Sequence, residues 1–133
     1  HCSGWMSHIL PIYLKKIKEY KEDPIFANTK LVLSLYDEVS DVTFSDNMCE
    51  KILLPGIKAK DLNTLNPANG TNLAIEYADG IIYGSKELCK EVDDAIKSSK
   101  LPTLPFVEIS TSDNTYVKEY NQFYDKILEG NAI

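Results

Sequence analysis

The chain opens His1-Cys2-Ser3-Gly4-Trp5-Met6-Ser7-His8-Ile9-Leu10-Pro11-Ile12-Tyr13-Leu14-Lys15-Lys16, and the reading of this stretch decides the fold. It reads as the last residues of a strand, a short polar turn through Gly4, and then a helix. Ile9, Leu10, Tyr13, Leu14, Ile17 and Tyr20 recur at three- and four-residue spacing, with Lys15, Lys16, Lys18, Lys21 and Glu22 on the far face. Pro11 inside that pattern predicts a short first turn followed by a kink, because proline removes a helical hydrogen bond. In an open α/β sheet, such a strand-to-helix turn is where ligands bind. The sequence therefore starts inside a site, and we expect a piece of a larger α/β protein whose preceding strand should leave an unpaired sheet edge.

Moving outward, Asp23-Pro24 ends the helix and Lys30-Leu31-Val32-Leu33-Ser34-Leu35-Tyr36 is a near-continuous apolar run. Such a run suits a strand buried on both faces of a parallel sheet. An acidic loop (Asp37, Glu38, Asp41, Asp46) leads to a helix with Met48, Cys49, Ile52 and Leu53 on one face, stopped by Pro55-Gly56. Asn66-Pro67-Ala68-Asn69-Gly70 is turn chemistry, and Thr71 to Ala78 is helical. A strand over Gly80–Gly84 follows, with Ser85 expected to cap a helix that carries Leu88, Cys89, Val92, Ala95 and Ile96. Residues 105–109 read as a last strand at an edge, because Pro105 cannot donate to a ladder. Tyr116, Val117, Tyr120, Phe123, Tyr124, Ile127 and Leu128 make the clearest amphipathic helix, ended by Gly130. Its aromatic face reads as core in preference to a sugar-stacking platform.

Composition narrows the function classes. The chain has 133 residues, 44% of them apolar and 26% charged, enough for one domain with a real core. The net charge is −6, and all 14 basic residues are lysine. A nucleic-acid partner is disfavoured, since Arg forks and basic patches are missing. The three cysteines, Cys2, Cys49 and Cys89, form no Cys-x-x-Cys pair, so neither a disulfide framework nor a zinc site is indicated and a cytoplasmic location is expected. No apolar run reaches membrane-spanning length, and no metal or cofactor motif is present.

Two motifs carry a resemblance. His1-x-x-x-Trp5-x-x-x-x-x-Pro11-x-Tyr13-Leu14 resembles the His-x-His-Asp-Trp-His…Pro-x-Tyr/Leu-Leu segment of the glycogen/starch synthase family. Tyr77-Ala78-Asp79-Gly80-Ile81, with Ser85 and Glu91-Val92 after it, resembles that family's Tyr-Ala-Asp-x-Val/Ile…Ser…Glu segment. These are retaining glucosyltransferases that extend α-1,4-glucan from ADP-glucose. The resemblance covers roughly residues 1–92. It implies an α/β, Rossmann-like, three-layer fragment with a mostly parallel sheet. The chain would be the second half of a GT-B-type N-terminal domain plus a closing C-terminal helix, a single unit over residues 1–133.

The departures from the pattern bear on chemistry. Ser3, Gly4 and Met6 stand where the family has His, Asp and His, and Tyr36 stands where its Thr-x-His-Asn strand end has His. A thioether cannot donate a hydrogen bond to a sugar hydroxyl. We therefore name no catalytic residue. His1, Ser3, Trp5, Tyr36 and Asp37 are the candidate substrate-binding residues, toward a glucan or a sugar nucleotide. The resemblance implies a glycosyltransferase domain that is inactive on its own. The alternative is a non-catalytic glucan- or protein-binding domain of the same fold, and an unrelated flavodoxin-like module is a third. An unpaired sheet edge would suit a homodimer.

Overall fold

The computed structural model describes residues 1–37, 67–110 and 112–130. Four parallel strands form one sheet whose spatial order is the chain order: β1 (Cys2–Ser3), β2 (Val32–Leu35), β3 (Gly80–Tyr83) and β4 (Thr103–Leu104). β1 and β4 are its edges. Five described helices flank it: α1 (Ile9–Lys16), α2 (Lys18–Lys21), α3 (Pro67–Glu76), α4 (Lys90–Ser99) and α5 (Thr115–Leu128). The expected helix at Asp46–Leu53 and its acidic loop beyond Asp37 lie outside the described residues.

The two central strands are apolar because both faces are covered. Cys2, Leu33, Leu35 and Ile81 pack with Ala74 and Ile75 of α3 and Val92 and Ile96 of α4. Val32 and Ile82 face the other way, onto Phe123 and Ile127 of α5. Ile12 and Ile17 join Leu73 and Tyr77, laying α1 beside α3. The result is the expected three-layer α/β arrangement. Leu33, Ile81 and Ile82 are fully buried, each stabilising the fold by about 1.5–3 kcal/mol. Gly80 lets α5 lie close on β3: a Cβ there would stand 2.6 Å from Ile127 Cδ1 and 3.0 Å from Phe123 Cζ.

The helix after Gly4 is broken twice. A 3-10 turn spans Trp5–Ser7, α1 begins at Ile9 with Pro11 inside its first turn, and Ile17 is extended before α2. A short first turn was expected. The second break, at Ile17, buries that side chain and was not read from the pattern. Ser3 lies in β1.

Three other expectations are corrected. The last strand is Thr103–Leu104, not 105–109: Ile81 donates to Pro102 O, and Pro105 has no N–H with which to continue the ladder. The Asn66–Gly70 turn is displaced by a helix beginning at Pro67, since proline suits a first helical position. Ser85 caps no helix; α4 starts at Lys90 with Cys89 as its cap residue. At the start of α5 the cap residue is Asn114, and Asp113 Oδ1 accepts from the first helical N–H, that of Thr115, at 3.1 Å.

Asp79 of the Tyr-Ala-Asp segment has a structural task. Its carboxylate accepts from Leu31 N–H at 2.8 Å and lies 3.6 Å from Lys30 and 3.8 Å from Lys15. Its own N–H donates to Leu31 O at 2.7 Å. One residue thus ties the entrances of β2 and β3 to α1.

Candidate functional site

The side chains that could meet a ligand gather where β1 and β2 run out, on the face that α5 covers. Ser3 and Ser34 are register partners, and strand alternation puts His1 on the same face as Ser3. His1 Nε2 lies 2.7 Å from Ser34 Oγ, and His1 Nδ1 lies 2.9 Å from the Tyr124 hydroxyl. Ser3 Oγ lies 3.1 Å from the Tyr36 hydroxyl. Three of the sequence candidates, His1, Ser3 and Tyr36, are therefore brought together, joined by Ser34 and Tyr124.

Gly84 gives Tyr36 its place. A Cβ on Gly84 would sit 2.5–2.8 Å from three atoms of the Tyr36 ring, and Gly84 N–H donates to Leu35 O at 2.7 Å. The exit of β3 is thus kept bare so that the ring can lie across it. Asp37 is exposed, and its N–H donates to Ser85 Oγ at 3.0 Å, which fixes the backbone beyond Tyr36. Trp5 is half-buried in the 3-10 turn after β1, and Met6 in that turn is 76% exposed.

Helix α5 lays a row of tyrosines along this edge. Tyr116, Tyr120 and Tyr124 meet edge to face with ring centroids 6.4 and 6.2 Å apart, and Tyr124 meets the His1 ring at 6.0 Å. Burial pushes the Tyr120 and Tyr124 phenols up, helped by Tyr36 in the first case and Tyr120 in the second. Both stay protonated near neutral pH, each able to donate and to accept.

The chemistry on offer is neutral hydrogen bonding. A Ser–His pair at 2.7 Å has the spacing of an activated hydroxyl. Ser34 is only 2% exposed, however, so no electrophile reaches it. Among the described residues no group of three or more His, Cys, Asp or Glu is placed to hold a metal ion, and no helix is long and apolar enough to cross a membrane. At the other end of the sheet, Lys30, Lys100 and Lys126 line a depression of about 230 Å³ with Asp79. Lys100 is the cap residue of α4 and Lys126 sits in the last turn of α5. Lysines in these positions offset the negative carboxyl ends of helices.

His8 is 5% exposed and its Nδ1 lies 2.9 Å from Thr71 Oγ1 on α3. Its buried Nε2 has no hydrogen-bond partner among the described residues, and desolvation pushes its pKa down to about 4.

Sequence reasoning missed Ser34 and Tyr124. Ser34 is the one hydroxyl in an otherwise apolar run, a signal present but unused. Tyr124 was read as core, because helical spacing alone cannot tell which flank of an aromatic face meets a polar neighbour.

Comparison with known proteins places these elements. Residues 1–102 match the starch synthase catalytic domain family. The chain is similar to a glycogen synthase from Koribacter versatilis (strain Ellin345), 28% identical over 101 residues, which is 71% of this chain and 20% of that protein. The chain thus spans about one fifth of that relative's length. No solved structure matches.

Proposed function

Because the chain belongs to the starch synthase catalytic domain family, we propose that it forms one wall of the substrate cleft of a glycogen/starch synthase-type glucosyltransferase, one that transfers glucose from ADP-glucose to α-1,4-glucan in the cytoplasm. The observation that carries the proposal is the row of neutral groups at the end of β1 and β2. His1, Ser3, Tyr36 and Tyr124 pair donors with acceptors at a partly open sheet edge. Sugar hydroxyls, which both donate and accept, suit such groups. The matched stretch is about one fifth of the family relative's length, and catalysis of this kind depends on a donor held opposite an acceptor. The chain alone is therefore a binding wall without turnover.

A second reading, a glucan-binding domain without transferase activity in any context, is favoured by Met6. An exposed thioether stands where the family's last His would meet the sugar.

The test is incorporation of labelled glucose from ADP-glucose into glycogen, with UDP-glucose in parallel, by this chain and by the longest natural protein that contains it. A glycogen synthase serves as control, and glycogen retention in affinity electrophoresis is measured alongside. Binding by the chain with transfer only by the longer protein is the expected result. Binding without transfer by either selects the second reading. Transfer by the chain alone, or no binding at all, overturns the proposal.

A further inference from the structure

We infer that Tyr124 of α5 is a ligand-contacting residue of the glucan site, with His1 behind it as a positioning residue. The inference rests on the glucan reading above and adds a residue beyond the stretch matched by the family, which ends at residue 102.

The argument starts from which polar groups a sugar can reach. Ser34 is buried, so the His1–Ser34 bond faces inward. Both His1 ring nitrogens are committed, one to Ser34 Oγ and one to the Tyr124 hydroxyl. That leaves the ring no nitrogen for a ligand. A phenol oxygen keeps capacity after one bond, since it has one proton and two lone pairs. If Nδ1 is protonated and donates to Tyr124, the Tyr124 proton points outward. If Tyr124 donates to Nδ1, its lone pairs remain open. In both tautomers the group of the chain Ser34–His1–Tyr124 that keeps unused bonding capacity is the tyrosine hydroxyl, on a half-buried side chain beside the exposed His1. Ser3 and Tyr36 repeat the arrangement one strand pairing away, a serine hydroxyl bonded to a phenol at 3.1 Å. The site therefore presents two tyrosine hydroxyls, Tyr36 just after β2 and Tyr124 from α5, the first bonded to Ser3 of β1 and the second to His1 just before that strand. The serines of the two pairs, Ser3 and Ser34, are register partners on adjacent strands, so both phenols border one patch. The ligand class this suits is a neutral polyhydroxylated chain, an α-glucan.

The experiment uses the full 133-residue chain and maltoheptaose as the probe, with affinity by isothermal titration and His1 ring nitrogen shifts by NMR. Tyr124→Phe removes the hydroxyl and keeps the ring. One lost neutral hydrogen bond is expected to weaken maltoheptaose binding about three- to tenfold, with an unchanged thermal midpoint and a displaced His1 Nδ1 signal. His1→Ala, which leaves Tyr124 in place but unoriented, should weaken binding less than Tyr124→Phe. Tyr20→Phe, away from the site, should match the wild type. If wild type binds and Tyr124→Phe binds equally, the inference falls while the glucan reading stands. If wild type does not bind maltoheptaose or glycogen, the glucan reading falls and takes the inference with it. If His1→Ala costs more than Tyr124→Phe, His1 is the contacting residue and the assignment is reversed.

Discussion

Lowering the pH from 7 to 4 should destabilise the fold by about 3 kcal/mol through His8 alone. The residue is 5% exposed, one ring nitrogen bonds Thr71 and the other has no partner among the described residues. Protonation would place a charge and an unsatisfied donor in that pocket, which is why desolvation lowers the pKa from 6.5 to about 4. The sign follows from proton counting. Above pH 6.5 the imidazole is neutral whether folded or unfolded, and the stabilisation is fully present. Between 6.5 and about 4 the unfolded chain binds a proton that the native chain does not. Stability therefore falls by about 1.4 kcal/mol per pH unit through that window and levels off below it. The assay is urea unfolding at half-unit pH steps for wild type and His8→Gln, which keeps a hydrogen-bonding group without titrating. Carboxylates contribute the same slope to both, so the difference isolates His8. The two curves should converge by about 3 kcal/mol between pH 7 and 4. Parallel curves, or an NMR titration placing the native imidazole above 6, would refute the reasoning.

Other perturbations read different parts of the structure. Gly80→Ala forces a methyl group onto Ile127 and Phe123; overpacking of about 1–3 kcal/mol is expected from urea midpoints, and a neutral result would mean that α5 packs more loosely. Asp79→Ala strips Leu31 N–H of its acceptor and Lys15 and Lys30 of their counter-charge. A loss of about 1–3 kcal/mol follows, and no loss would show that the two strand entrances hold without it. Tyr83 donates to Asp93 at 2.9 Å, and desolvation with that carboxylate pushes its pKa up to about 12. An ultraviolet titration should show one phenol ionising well above the others, absent in Tyr83→Phe, and stability falling as pH rises above 10.

The fold was legible where burial on two faces leaves an unbroken apolar run. Lys30–Tyr36 and Gly80–Gly84 lie within two residues of the observed β2 and β3, because nothing else suits a strand covered by helices on both sides. Phe106–Ile109 failed the same test. It is apolar enough, but pairing depends on where Pro102 and Pro105 leave N–H groups, and the ladder uses the residues between them. Half-buried polar residues were harder. His1, Ser3 and Tyr36 could be named because the family resemblance supplied their places. His8 looks like a surface residue in a string of letters, and only the tertiary packing against α3 buries it; Ser34 sits in a strand read as buried, but nothing in the run shows that its hydroxyl meets His1. Tyr124 lay 123 positions from its partner, and periodicity carries no information over that distance.

The match between strand order and chain order bears on how the molecule assembles and opens. Each new strand can be added beside the last one made, so β1 to β4 form from nearest neighbours in sequence. Helix α5 is different: it folds back over strands laid down long before, and its bond to His1 closes the longest loop in the described chain. Loop closure of that length is an entropic debt met only once the sheet exists. Backbone amides of α5 should therefore exchange with deuterium sooner than those of β2 and β3, through a detachment that leaves the sheet intact. Such a detachment would uncover Val32 and Ile82 and release the His1 ring in the same event. The aromatic helix that completes the site would then also be the part of the molecule that most readily leaves it.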